Sequence, residues 1–356
     1  MDLHFDLTQT QHVSVLVDAG IEAKLPTLVQ SLAPDGVVVV YDTALEGLAE
    51  RIGESLGANT ILPVEATETA KQLTVAGKLA EQLHAAKATR ATVMVAVGGG
   101  TLTDLAGFVA SIYLRGIPFV SCPTTTLAMC DAALGGKNGV DHCGLKNRLG
   151  TIRQPNAIVM DTDWLSTLPD EMFREGLVEV VKKAAVLDAG RFAELESLAS
   201  ALLNRDAAAT MKTVAMAVDM KMKVVLEDER EGDRRRALNA GHTIGHAIEA
   251  LAAGSIRHGH AVAMGMLAEC RAANVDDAII KRIATLLRAI GVQTTTPAHL
   301  ADVTKLWDLA QQDKKAMRGH VPMYVPTALG KGTIVDLTPE SLAYAMQNDN
   351  GPRTTP

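Results

Sequence analysis

The run Thr92-Val-Met-Val-Ala-Val-Gly-Gly-Gly-Thr-Leu-Thr-Asp104 decides the architecture. Thr92 to Val97, apolar after its first residue and rich in β-branched side chains, is the clearest strand signal in the chain. Three glycines then allow a sharp turn, and Leu102 opens a helical pattern. Strand, glycine turn and helix in that order leave backbone N–H groups at a helix N-terminus, a natural seat for a phosphate. The same alternation continues outward. Residues 13–17, 36–41, 60–64 and 117–121 read as strands, and residues 25–32, 44–56 and 69–86 as helices. This βαβα order predicts a Rossmann-like, doubly wound α/β domain over residues 1–167.

From residue 168 the texture changes. Residues 171–187, 191–203, 207–226, 243–252, 261–273 and 276–290 have helical periodicity and are rich in Ala, Leu, Met and Lys. Strand signals are nearly absent until residues 322–325. A second, all-helical domain is therefore predicted over residues 168–356, giving α/β plus all-α.

Composition removes several classes of function. With 356 residues and 47% hydrophobic content, the chain can bury two cores and is not a disordered protein. Only 3% of residues are aromatic and the net charge is −7, which argues against a nucleic-acid surface or an anionic membrane. A phosphorylated substrate would need a local basic pocket. No basic, apolar leader opens the sequence and no uncharged run is long enough to span a bilayer, so a cytoplasmic location is expected. Cys122, Cys130, Cys143 and Cys270 form no Cys-x-x-Cys pair and read as reduced thiols.

Three constellations carry chemistry. Around the glycine turn Gly98-Gly99-Gly100, Asp104 lies one helical turn on, and Asp42 ends an earlier strand where a carboxylate reaches ribose hydroxyls or caps a helix. Residues 123–147 place Thr124 and Thr125 after a strand. They then bring Asp131, Lys137, Lys146 and Asn147 among small residues, with the lysines as point charges for phosphate or carboxylate. The third is a histidine cluster: His242, His246, His258 and His260 fall within 19 residues, out of 10 histidines in the chain. His242 and His246, four apart on one helix face, have metal-ligand spacing and by spacing alone would be joint ligands. Glu179 and Lys182 share one face of an earlier helix.

Taken together, these fragments resemble the dehydroquinate synthase family of sugar-phosphate cyclases. The matching pieces are Glu68-Thr-Ala-Lys71, Gly98 to Phe108, Tyr113-Leu-Arg-Gly116, Pro123-Thr-Thr125, Asp131 with Gly135-Gly-Lys137, and Lys146-Asn147. Later in the chain come Glu179 with Lys182, Lys221 with Asp228-Glu229, Arg235, Leu238-Asn239, Gly241 to Glu249, and His258-Gly259. Their order and spacing fit along nearly the whole chain.

The resemblance implies NAD as cofactor, held by Asp42, Glu68, Lys71, Gly98, Gly99, Gly100, Asp104, Thr124, Thr125 and Lys146. It implies a divalent metal, zinc or else cobalt, held by Glu179, His242 and His258, with His246 acting on substrate and not on metal. Substrate contacts would be Asp131, Lys137, Asn147, Lys182, Lys221, Arg235, Asn239 and His246, with Lys314 or Lys315 near the C-terminus. Arg115 would reach the phosphate from the partner subunit of a homodimer. Catalysis would rest on Lys182, His246, Asn239, Asp131 and Arg235. Such enzymes convert 3-deoxy-arabino-heptulosonate 7-phosphate to 3-dehydroquinate and phosphate, a shikimate-pathway step toward aromatic amino acids. They do so by transient oxidation with NAD, β-elimination of phosphate, re-reduction, and aldol closure.

The chain departs from the family pattern at Ala44, Asn138-Gly-Val-Asp-His142, Ala240 and His260, and Lys146-Asn-Arg-Leu-Gly150 is similar to the sedoheptulose 7-phosphate cyclases. Sister cyclases making aminodehydroquinate, valiolone or inosose are thus the alternative. Arg235 and Asn239 favour an acid substrate, because a carboxylate needs a cation. Metal-dependent polyol dehydrogenases share the glycine turn and the two-domain plan, but they leave Pro123-Thr-Thr125, Gly135-Gly-Lys137 and Arg235 unexplained. A catalytically silent binding protein would have no use for so many charged site residues.

Overall fold

The structure, a computed structural model, describes residues 11–143, 145–230, 232, 234–312 and 320–348. The chain divides into two compact units that are not contiguous in sequence. One holds the chain up to Thr124 together with Gly136–Asp161, and the other holds Thr125–Gly135 and the chain from Thr162 onward. The expected division after residue 167 follows chain order alone. The segment Thr125–Gly135, which carries Asp131, groups with the helices.

The first unit is a parallel sheet flanked by helices. Its elements are β1 (Ser14–Asp18), α1 (Leu25–Gln30), β2 (Val37–Asp42), α2 (Glu46–Leu56), β3 (Thr60–Val64), α3 (Leu73–Ala85), β4 (Val93–Gly98), α4 (Gly100–Ile112), β5 (Phe119–Pro123), the hairpin β6 (Lys137–His142) and β7 (Leu145–Ile152), and β8 (Ala157–Asp161). Six strands lie in the order β1-β8-β5-β4-β2-β3, each pair parallel. The valines of β2 and every residue from Val93 to Val97 are buried, as strands covered on both faces require. Leu79 and Leu83 of α3 and Leu102, Leu105 and Val109 of α4 close one core with Val38, Val40, Met94 and Ala96.

This strand order sets a topological switch. The chain leaves β2 toward β3 on one side and leaves the adjacent β4 toward β5 on the other. Open α/β sheets bind ligands outside the strand C-termini at such a point. Asp42 ends β2 there, and Gly98 ends β4.

Among the described residues the second unit is helical apart from one antiparallel hairpin. It contains α5 (Asp170–Leu187), α6 (Ala189–Leu203), α7 (Ala207–Glu227), α8 (His242–Ala252), α9 (His258–Ala272), α10 (Asp277–Ala289), α11 (Val303–Gln311), the hairpin β9 (Val321–Ala328) and β10 (Lys331–Leu337), and α12 (Pro339–Gln347). Residues 322–325, read as a strand, lie inside β9. Helix α5 packs against α6, α7, α9 and α10 and is buried all round from Gly176 to Val186. A helix with no solvated face has to find protein partners for its charges, and α5 carries Glu179, Lys182 and Lys183 in that stretch.

Helices α8 and α9 pack closely because glycines meet at their crossing. A Cβ on Gly265 would collide with the Gly241 carbonyl and the Gly245 backbone. Gly241, at φ 78°, occupies a conformation that side chains resist. Among the described residues no helix is long and apolar enough to cross a membrane, and the four cysteines are free.

Candidate active site

Three helices of the second unit bring one ligand each to a common point. Glu179 comes from the middle of α5, His242 is the first residue of α8, and His258 is the first residue of α9. One ligand atom from each lies within 4.8 Å of the others. The Nε2 atoms of His242 and His258 are 3.8 and 3.9 Å from Glu179 Oε1. A four-coordinate zinc with bonds of ~2.0–2.2 Å holds its ligand atoms ~3.3–3.6 Å apart, close to these two separations.

The donor chemistry fits a metal. Glu179 is 1% exposed, yet neither of its oxygens accepts a hydrogen bond, and a buried carboxylate left so is costly without a cation. The Lys182 ammonium is in ion-pair contact with it and equally buried. Both histidines are locked with Nε2 toward the glutamate. His242 Nδ1 lies 3.2 Å from the Ala240 carbonyl, and His258 Nδ1 lies 2.9 Å from Glu249 Oε2. Each outer bond fixes the tautomer that leaves a lone pair on Nε2. Burial, reinforced by the Lys182 charge and the neighbouring histidines, holds His242 well below the usual imidazole range, in the neutral form a metal requires. At His258 burial also opposes charge, but the Glu249 hydrogen bond and the Glu179 charge outweigh it and raise the pKa.

A second carboxylate anchors the cage from behind. Glu269 of α9, 1% exposed, accepts the Gly241 N–H at 2.7 Å and the Ile244 N–H at 3.0 Å. It caps α8 on either side of His242, where a side chain at position 241 cannot. His246 lies one turn further along α8 and is exposed, its ring 4.9 Å from that of His242 and 5.8 Å from that of His258. His246, Glu249 and His258 also cluster, but Glu249 already serves His258 Nδ1.

The same unit gathers a basic group around Asp131. Lys183 donates to Asp131 Oδ1 at 3.0 Å and to the Cys130 carbonyl at 2.6 Å. Lys221 lies 3.0 Å from the same Oδ1 and donates to the Asp131 carbonyl at 2.7 Å. Burial would raise the Asp131 pKa, but Lys221, Lys183 and Lys182 override it and hold the carboxyl well below its usual range. Burial pushes the Lys221 ammonium down to about 8 against the pull of Asp131. Arg235, 2% exposed, donates to the Glu229 carbonyl at 2.7 Å and the Gly135 carbonyl at 3.2 Å. Asn239 closes the turn that leads into α8. Lys314 and Lys315 lie outside the described residues.

In the first unit the cofactor candidates gather around the start of α4. Gly99 precedes it with no side-chain cap, so the first-turn N–H groups point outward without a capping oxygen. Lys71 donates to Asp104 Oδ2 at 2.6 Å. Glu68 pairs with Lys146 at 3.2 Å and accepts from Thr101, in the first turn of α4, at 3.4 Å. Asp42 caps the turn after β2, its Oδ1 accepting the Ala44 N–H at 3.1 Å. Both sequence readings of this aspartate, cap and cofactor contact, therefore remain compatible, since the other oxygen is not used in the cap. Thr124 is buried, its N–H bonded to the Gly98 carbonyl; Thr125 belongs to the second unit, where its hydroxyl accepts the Ala128 N–H. Lys137 and Asn147 sit on the β6–β7 hairpin, both solvent-facing. Arg115 is exposed, and its side chain has no hydrogen bond or ion pair to any described residue.

Sequence reasoning assigned no role to Glu249, Glu269 or Lys183. Glu249 lies three residues beyond His246 on the same helix face, a readable signal. Glu269 is the only charge in residues 261–270. Lys183 is adjacent to Lys182 and looks like a surface lysine until its burial is seen.

Fold and site define a class: a parallel dinucleotide-type sheet with an open helix N-terminus at its switch point, and a helical unit with a buried Glu-His-His cage beside a cluster of cations. Comparison with known proteins specifies it further. Residues 61–175 match the 3-dehydroquinate synthase N-terminal family and residues 176–316 the 3-dehydroquinate synthase C-terminal family. The 3-dehydroquinate synthase of Saccharolobus solfataricus is 34% identical over 336 residues, 91% of this chain and 92% of its own. The chain belongs to the 3-dehydroquinate synthase family. Among solved structures, the 2-epi-5-epi-valiolone synthase of Streptomyces hygroscopicus, with NAD+ and Zn2+ bound, superposes with a TM-score of 0.86 at 26% identity, covering 98% of this chain and 99% of its own. A 2-deoxy-scyllo-inosose synthase complexed with carbaglucose-6-phosphate, NAD+ and Co2+ gives 0.84 at 25% identity, covering 95% and 96%.

Proposed function

We propose that this protein converts 3-deoxy-arabino-heptulosonate 7-phosphate to 3-dehydroquinate and phosphate, as a phosphate-eliminating cyclase that uses NAD and a divalent metal. The observation that carries this reading is the pairing, within one helical unit, of the Glu179–His242–His258 cage with the Asp131, Lys183, Lys221 and Arg235 cluster. A polyol dehydrogenase needs a metal cage but no such concentration of buried cations. Family membership over nearly the whole chain supports the same substrate.

Glu179, His242 and His258 would hold the metal, zinc or its cobalt substitute, and the residues around the start of α4 would hold NAD. When bound, these groups supply reversible oxidation of the carbon-5 hydroxyl and polarisation of its oxygen. The chain's own residues do the remainder. Lys182 is a fixed, buried cation that stabilises negative charge developing on a substrate oxygen. Asp131, with Oδ1 tied to two lysines, keeps Oδ2 for a substrate hydroxyl. Lys221 and Arg235 attract the carboxylate and phosphate, and Lys137, Asn147 and Asn239 complete recognition of the substrate. His246, exposed and next to the cage, moves the proton that accompanies phosphate departure.

The active unit is proposed to be a homodimer in which Arg115 serves the neighbouring site. Leu114 and Arg115 both have positive φ, 50° and 67°, an uncommon pair for residues with side chains. Strain at an exposed, unpartnered arginine is consistent with a contact made in trans. The exposed Ile112 and Ile152 are sequence neighbours of the bonded Ser111–Thr151 pair, a suitable apolar rim for an interface.

The departures at Ala44, Asn138–His142, Ala240 and His260 favour one second reading, a sister cyclase acting on another sugar phosphate. The test is direct. Purified protein with NAD and zinc is offered the heptulosonate phosphate, its amino analogue, sedoheptulose 7-phosphate and glucose 6-phosphate, and scored for phosphate, carbocycle and NADH. Phosphate and carbocycle from the heptulosonate phosphate, without accumulating NADH, are expected. Stoichiometric NADH would overturn the cyclase reading, and exclusive turnover of another sugar would select the sister activity.

A further inference from the structure

The segment that presents Asp131 is irregular. Residues Ala128–Ala132 form a single wide turn of the π type, with the Ala133 N–H bonded back to the Ala128 carbonyl at 3.0 Å. Such turns leave carbonyls without their usual helical partners and are enriched at functional sites. Here the Cys130 carbonyl accepts from Lys183 at 2.6 Å, and the Asp131 carbonyl accepts from Lys221 at 2.7 Å and from the Leu134 N–H at 3.0 Å. Two buried lysines from two different helices thus fasten consecutive carbonyls of one turn.

Lys183 has no exposed surface at all. An ammonium so placed is retained only if its partners compensate for lost hydration. Both of its hydrogen-bond partners belong to this turn: the Cys130 carbonyl and Asp131 Oδ1. Because Lys183 and Lys221 both lie 3.0 Å from the same carboxylate oxygen, the carboxylate plane is fixed and Oδ2 is the oxygen left to receive a ligand. The two ammonium groups also exceed the single Asp131 charge, which leaves local positive charge for an anionic substrate.

We propose that Lys183 is a positioning residue: it locks the wide turn at Ala128–Ala132 and the rotamer of Asp131, so that Asp131 Oδ2 meets a substrate hydroxyl. The assignment rests on the reading of Asp131 as a substrate contact in the proposed reaction. Lys183 itself touches no substrate, and it acts through Asp131.

A double-mutant cycle tests it. Lys183→Met removes both hydrogen bonds and is expected to lower kcat/KM about 10- to 100-fold, with zinc content unchanged. In an Asp131→Asn background the same change should cost less than about 2-fold, since its effect runs through that carboxylate. Equal losses in both backgrounds, or no loss in either, overturn the proposal. Lys183→Gln, which keeps a donor for the Cys130 carbonyl, provides the cycle if the methionine variant does not fold, with a smaller loss expected. Amide exchange gives a readout independent of turnover. The Lys183 variants should exchange faster at residues 128–134 while the α5 amides stay protected, and unchanged exchange in that turn sinks the positioning role. If wild-type protein forms no carbocycle, the functional reading fails by itself, while the exchange result still decides whether Lys183 holds the turn.

Discussion

Removal of Glu249 tests the metal cage without touching a ligand. His258 hangs from the first position of α9, and its ring is fixed at one nitrogen by Glu249 Oε2, 2.9 Å from Nδ1. With Nδ1–H donated to that carboxylate, Nε2 keeps its lone pair on the side of Glu179 Oε1, 3.9 Å away. Glu249→Ala deletes the charge-assisted hydrogen bond to His258, of ~1.5–3 kcal/mol, and frees the ring to rotate or to adopt the other tautomer. Both side chains are partly solvated, at 27% and 22% exposed, so water compensates some of that loss. The part that reaches the metal is expected to be about 10- to 100-fold in zinc affinity, or ~1.4–2.7 kcal/mol. Glu249→Gln keeps an acceptor of about half the strength and should fall between wild type and alanine. Zinc dissociation constants from competition with a fluorescent chelator at fixed neutral pH measure the series. The absorption bands of the cobalt-loaded protein report whether His258 still ligates. Wild-type affinity in Glu249→Ala, or glutamine weaker than alanine, would refute the reasoning that the carboxylate orients the ligand.

Three further outcomes are expected. His258→Ala should lose the metal in a metal-content measurement, whereas His246→Ala should keep it and lose turnover; the reverse pattern would exchange their roles. Above about pH 8 the Lys221 ammonium gives up its proton, Asp131 loses one of its two cations, and kcat/KM should fall; Lys221→Arg, charged throughout, should move that alkaline limb upward, and an unmoved limb would assign it to another group. Mixing inactive Arg115→Ala and Lys182→Ala proteins should restore up to about half the wild-type activity per heterodimer after subunit exchange, because a twofold-symmetric pair then has one intact site; no recovery would place Arg115 in its own subunit's site.

The sheet was legible because its strands are continuous apolar runs. Residues 36–41 and 92–97 have no alternative to burial on both faces, and the triple glycine marks where β4 gives way to α4. The β6–β7 hairpin was not legible. Lys137 to Ile152 is polar, and β7 is exposed along most of its length, so no alternation betrays a strand; α4 and the bridge from Gln72 to Asp141 hold it in place. Helix α9 begins at His258, three residues before the apolar periodicity begins, because its first turn is fixed by tertiary contacts. Glu175 of α5, itself buried, lies 3.1 Å from Arg257 Nη1 and meets the Gly259 N–H at 3.5 Å.

The proposed metal cage shows why spacing within one helix is a limited guide. His242 and His246 satisfy the i, i+4 rule, yet the atoms that converge on Glu179 come from His242 and His258, on two helices whose close crossing depends on Gly241 and Gly265. No one-dimensional pattern contains that crossing. A different signal was available. Gly176–Val186 and Ala261–Cys270 are buried all round; the first carries three charges and the second one, inside otherwise apolar runs. In a helix without a solvated face every such charge must meet a partner within the protein or a bound ion. Glu179 faces the cage, Lys182 pairs with it, Lys183 fastens Asp131, and Glu269 caps the helix that begins with His242. Charges stranded in fully apolar helices thus point to the proposed catalytic machinery more directly than the histidine spacing does, because burial leaves them no solvent-facing alternative.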